Sequence, residues 1–166
     1  MSRETMLEAL AGGLRGEMDS VTVYSEAAGR CHGDVKDFFL ERMEEEKQHY
    51  NWLLDYYQQL TLGELPVEDR RGEHDSVPES SPIITGEFLK RIGENQYLTT
   101  AIATAVLLEF TAMEHYRKAA DEAEDPRVAE LFGELARWES EHYDAMLKIQ
   151  EESRKYWFDA QSFAPF

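Results

Sequence analysis

The chain is poor in cysteine and in base, and it has no long apolar run. Cys31 is the single cysteine, so an internal disulfide is excluded, and so is a four-cysteine iron or zinc knuckle. Lys and Arg number 17 against 34 Asp and Glu, for a formal net charge of −17. That charge repels phosphate, and nucleic acid is not expected as a partner. The longest apolar stretch, Thr99 to Leu108, is too short to span a bilayer and runs into Glu109. The first residues, MSRETMLEALAGG, lack both a basic start and an apolar core, so no secretory signal and a cytoplasmic location are expected. What remains is a 166-residue chain, 42% hydrophobic, of a size for one folded domain.

Four long segments place apolar residues at helical spacing, at about 4–29, 34–60, 95–121 and 126–154. Thr5 and Glu8 suit a capping box, and Asp34 suits an N-cap after Gly33. Asp125 followed by Pro126 is the clearest helix start. The inward stripes are not purely apolar. The first reads Leu10, Leu14, Glu17, Val21, Tyr24, and the second Phe39, Arg42, Glu46, His49, Leu53. The third reads Ile102, Val106, Glu109, Met113, Tyr116, and the fourth Leu135, Glu139, His142, Met146. Three of the five prolines fall in residues 61–94, which read as a long connection with a short helix at Thr85–Ile92. Residues 155–166 form an aromatic tail without helical pattern, expected to cover its own bundle or a second subunit.

The two halves repeat. Glu17 precedes Tyr24 by seven residues, as Glu109 precedes Tyr116. Phe39, Glu46, His49 and Tyr50 return as Phe132, Glu139, His142 and Tyr143. The offsets are 92 (109 − 17) and 93 (139 − 46), which predicts a duplicated helical hairpin. Glu17 and Glu46 are equidistant from the turn at Cys31–His32, and Glu109 and Glu139 from Glu124. Each glutamate thus stands about 15 residues, or roughly 22 Å, from its turn. All four meet at the middle of a bundle. The 34-residue connection can cover the ~40 Å of a crossover along a helix, and that topology is favoured over an up-and-down one.

Four carboxylates at one depth repel, and Arg42 is the main basic residue on these stripes. Divalent cations are the natural compensation. In Glu46–His49 and Glu139–His142 the three-residue spacing puts oxygen and nitrogen donors on one face. Mixed carboxylate and imidazole ligation suits iron or manganese better than structural zinc. Glu17 and Glu109 would complete or bridge two ions. His32, His74 and His115 read as surface, as do Glu44, Glu45, Glu114 and Glu141. Trp138, Tyr50 and Tyr143 read as core packing.

The series Glu-x6-Tyr, Glu-x-x-His, Glu-x6-Tyr, Glu-x-x-His resembles the ferritin-like superfamily and, within it, the rubrerythrin group. The resemblance covers all four long segments. It implies an all-α, ferritin-like antiparallel four-helix bundle with a long crossover between helices two and three. It also implies two iron ions, with manganese or zinc as substitutes, on Glu17, Glu46, His49, Glu109, Glu139 and His142. Tyr24 and Tyr116, which the spacing alone reads equally well as core aromatics, become hydrogen-bond donors to ligand carboxylates. The implied activity is that of a rubrerythrin-type oxidoreductase reducing hydrogen peroxide or dioxygen. The two departures are Ala112, where rubrerythrins carry a further glutamate, and the absent rubredoxin cysteines. Electrons would therefore come from a separate rubredoxin-like or flavoprotein donor. Ferroxidation with iron storage or delivery, and a non-catalytic metal-binding scaffold, are the alternatives. A homo-oligomer, in first instance a dimer, is expected.

Overall fold

The computed structural model describes residues 1–63 and 84–162, so most of the long connection, with His74, lies outside the described residues. The chain forms α1 (Arg3–Gly29), α2 (Asp34–Thr61), α3 (Gly86–Glu94), α4 (Gln96–Glu122) and α5 (Pro126–Ala160). Four of the five starts are fixed by a polar side chain ahead of them. Thr85 Oγ1 accepts from Phe88 N, Asn95 Oδ1 from Leu98 N and Asp125 Oδ1 from Arg127 N. Two caps differ from the sequence reading. Ser2, not a Thr5–Glu8 box, caps α1. Gly33, at φ +64°, precedes α2, and Asp34 instead binds Arg91 at 2.7 Å.

The bundle runs as two hairpins, α1–α2 and α4–α5, joined where α1 packs antiparallel on α4. The pairing is visible in contacts that cross it: Tyr116 with Glu17, and Tyr24 with Glu109. At one end the Arg3 guanidinium donates to Leu60 O at 2.6 Å, and the Met1 amino group meets Glu124 at 2.7 Å. At the other end Arg30 lies 4.2 Å over the ring of Tyr97. α2 thus finishes at the end opposite to the start of α4, so the two helices run in the same direction, as a crossover topology requires. α3 caps the far end, with Phe88 edge-on to Phe38 at 5.3 Å.

α5 extends beyond the expected 154, so residues 155–160 continue the helix rather than leave it. α3 holds them. Gly93 packs so closely that a Cβ there would stand 2.4 Å from Ser153 O and 2.7 Å from Tyr156 Cβ. Tyr156 covers the bundle's own core. Two apolar clusters fill the interior. One gathers Phe38, Phe39, Phe88, Ile102, Met146 and Ile149 towards the α3 end; the other gathers Leu10, Leu53, Phe132 and Leu135 towards the chain start. Between them lies one polar layer. No helix among the described residues is long and apolar enough to cross a membrane.

Candidate metal centre

The polar layer holds the six residues expected from the repeat. Glu17 comes from α1, Glu46 and His49 from α2, Glu109 from α4, and Glu139 and His142 from α5. None exposes more than 2% of its surface. His49 Nδ1 lies 2.9 Å from Glu139 Oε1, 3.2 Å from Glu46 Oε2 and 3.5 Å from Glu17 Oε2. His142 Nδ1 lies 3.0 Å from Glu46 Oε1, 3.8 Å from Glu139 Oε2 and 4.0 Å from Glu109 Oε2. Glu46 and Glu139 therefore each face both imidazoles. Glu17 stands on the His49 side only and Glu109 on the His142 side only. Of the two roles open to Glu17 and Glu109, the geometry fits terminal positions, with Glu46 and Glu139 placed to bridge.

Ligand atoms of Glu46, His49, Glu139 and His142 all lie within 4.8 Å of one another. Both oxygens of Glu46 and of Glu139, together with Glu109 Oε2, are sealed from solvent and make no well-formed hydrogen bond, the two imidazoles being the nearest counter-groups of Glu46 and Glu139. Buried acceptors without donors are costly. Five such oxygens converging beside two imidazole nitrogens suit a hard to intermediate cation.

The tyrosines resolve as donors that also fill the core. The Tyr24 hydroxyl donates to Glu109 Oε1 and the Tyr116 hydroxyl to Glu17 Oε1. Each reaches from one hairpin to the terminal carboxylate of the other. Both are fully buried, and their hydroxyls are pushed well above the ordinary value of 10.0 by burial and by the neighbouring carboxylates. They stay neutral and keep the proton they donate. Gly13 makes room for this contact, since a Cβ there would meet Tyr116 Oη at 2.8 Å.

Without metal the layer balances its own charge. Burial first, then Glu139, raises Glu17; burial first, then Glu46, raises Glu109. Burial also opposes charge on Glu46 and Glu139. For Glu46 the two imidazolium groups outweigh it, and its carboxyl is held well below the usual range. For Glu139 they outweigh both burial and repulsion by Glu46, bringing it to about 2. The same contacts lift both histidines well above 6.5 against their own burial. Glu46 and Glu139 are thus the carboxyls that ionise most readily, beside two histidines that favour their protons, and Glu17 and Glu109 resist ionisation.

Several sequence readings change here. Arg42, the main basic residue on the stripes, pairs with Glu45, at 2.8 and 2.9 Å. Glu45 does not belong to the solvated face: its Oε2 is buried and lies 3.3 Å from His142 Nε2. Trp138 packs in the core as expected, and there it also stacks on His49 at 5.5 Å and 13°. His115 is half-buried, with Nε2 2.8 Å from Ala9 O. Glu44, Glu114 and Glu141 do face solvent, beside Lys47, Arg117 and Arg137. Ala112 leaves the α4 side without a further carboxylate three residues after Glu109. Helical periodicity could not find Glu45, because it sits one residue off the stripe and arrives by the reach of its side chain.

Two glutamate-histidine pairs and two terminal glutamates, inside an antiparallel bundle with a crossover, define the ferritin-like carboxylate class. The rubrerythrin family model matches residues 8–150, and the chain belongs to that family. No curated protein and no solved structure matches it in the corresponding comparisons.

Proposed function

We propose that the protein is a di-iron oxidoreductase of rubrerythrin type that reduces hydrogen peroxide or dioxygen. The observation that carries this reading is the pair of imidazoles facing the same two carboxylates, each with its own terminal glutamate. Glu17, Glu46 and His49 would hold one ion, Glu109, Glu139 and His142 the other, with Glu46 and Glu139 shared. When bound, the ions supply two electrons to a peroxide or dioxygen. For peroxide the balance is one H2O2, two protons and two electrons to two waters.

The chain's own residues set the rest. The Tyr24 and Tyr116 hydroxyls hold the terminal carboxylates in place and, being hard to ionise, give hydrogen bonds without adding charge. The two apolar clusters above and below exclude water from the layer. The separate donor, rubredoxin-like or a flavoprotein, restores the electrons. A second copy of the chain is the further partner in this reading, supported by the exposure of Met18, Leu107 and Phe110 on α1 and α4.

Rapid mixing of the reduced, iron-loaded protein with peroxide and with dioxygen tests the activity. Oxidation within the mixing time by one of them is expected; slow oxidation by both sinks the reading. Ala112 supports a second one, ferroxidation for iron storage or delivery, because the site then matches the plainer six-ligand pattern. A cage-sized particle in light scattering would favour it; a dimer would not.

A further inference from the structure

α2 and α5 close the bundle opposite the α1–α4 contact, but their backbones hardly approach each other. Rings fill the seam. The His49 and His142 rings lie 5.5 Å apart at 18°, and Trp138 stacks on His49 at 5.5 Å and 13°. Trp52 lies 5.8 Å from His49 and 5.0 Å from Trp138. These are contact distances for aromatic rings. Four rings therefore connect a half-buried tryptophan on α2 with both imidazoles of the polar layer, and Trp138 among them is buried. The repeat does not call for either indole, since the matching positions hold Glu45 (138 − 93) and Ala145 (52 + 93). The third tryptophan, Trp157, stands 19 residues (157 − 138) further along α5, roughly 28 Å at 1.5 Å per residue.

Two ions supply two electrons, whereas dioxygen needs four to become two waters. We propose that Trp138 and Trp52 supply the other two through His49, so that dioxygen leaves the centre as water rather than as peroxide. Each indole loses one electron from its ring and the proton of its N–H bond. One dioxygen, two electrons from the ions, two protons from solvent and the two indole hydrogens give two waters and two indolyl radicals. The O–O bond and two N–H bonds break, and four O–H bonds form. Both indole rings touch His49, so neither electron has a gap to cross. The carboxylates of the layer favour the loss of an electron from a ring beside them. The Arg137 guanidinium, 5.9 Å over Trp138, opposes it but is itself paired with Glu141 at 3.1 Å. The separate donor afterwards returns two electrons to the indoles, and solvent returns two protons.

The proposal rests on the reading of the centre as a di-iron oxidoreductase and selects dioxygen as its substrate. Its test is a single turnover. Reduced, iron-loaded protein is mixed with excess dioxygen and no electron donor, released hydrogen peroxide is assayed, and samples frozen during the turnover are measured by electron paramagnetic resonance. Wild-type protein is expected to release no peroxide. It should show a radical signal that narrows with ring-deuterated tryptophan and not with ring-deuterated tyrosine. The double variant Trp52→Phe, Trp138→Phe should lose that signal and release the dioxygen it consumes as peroxide. Trp157→Phe should behave as wild type. Unchanged circular dichroism and equal cobalt(II) binding establish that the layer of the double variant is intact. Equal peroxide release by wild type and the double variant would overturn the proposal, as would a radical on tyrosine, where Tyr24 and Tyr116 also touch the layer. Wild-type protein that is oxidised rapidly by peroxide but not by dioxygen would overturn it too and leave the peroxide reading standing. Slow oxidation by both is the failure of the activity reading itself.

Discussion

Tyr116 and Glu17 show how one hydroxyl can serve both packing and chemistry. The tyrosine ring fills the space that Gly13 leaves, and its hydroxyl gives Glu17 its donor from across the hairpin interface. Tyr116→Phe keeps the ring and strands a buried oxygen. In the metal-free protein that should cost about 1–3 kcal/mol by thermal or urea melting. Metal binding on the Glu17 side should weaken 10- to 100-fold by titration. An unchanged melt and isotherm would mean that the hydroxyl only fills space. Whether either tyrosine donates was not decidable from spacing alone, since a core aromatic and a donor occupy the same stripe. The six inward glutamates and histidines were legible because the repeat supplied each twice and the turns set their depth. Glu45 was not, because a flexible side chain can swing about a turn's width from the direction its backbone position suggests.

At the scale of elements, the helix boundaries followed from caps and punctuation, while the last turns of α5 did not. Nothing local in residues 155–160 asks for a helix, and their ordering comes from contact with α3. Tertiary packing therefore sets that boundary where local propensity is neutral. The contact depends on Gly93. Gly93→Ala would drive a methyl into Ser153 O and the α5 backbone, and overpacking of this kind costs about 1–3 kcal/mol. The expected result is a lowered melting temperature, with protection from hydrogen exchange lost first across residues 153–160. A variant as stable as wild type, with α5 equally protected, would show that α3 does not hold the end of the helix. α3 itself was read from the sequence within two residues, because Thr85 marks its start and Phe88, Leu89 and Ile92 share one face.

For the whole molecule, the metal-free layer favours protons where it would otherwise hold cations. Glu17, Glu109, His49 and His142 each have a raised pKa, so together they keep up to about four protons that the ligating state lacks. Two divalent ions carry the same charge. The sign follows for stability. These four groups bind more protons folded than unfolded above their ordinary values of 4.5 and 6.5. Stability of the metal-free protein therefore falls as pH rises through that region. Glu46 and Glu139 act oppositely. Their pKa values are depressed, so the stability they contribute above 4.5 is lost as pH falls towards the folded values. Metal affinity, which requires the protons to leave, should rise with pH. Melting curves from pH 6 to 8 should diverge, the metal-free curve falling and the loaded one holding or rising. Parallel curves would contradict the exchange of protons for metal.

The account stands on two metal ions sharing one buried layer. Protein purified in air and crystallised should show two anomalous peaks at the iron edge. Both should lie between the rings of His49 and His142, each beside one terminal glutamate, with Glu46 and Glu139 between them. A metal bound away from Glu17, Glu46, His49, Glu109, Glu139 and His142, with this layer left to its protons, would contradict it.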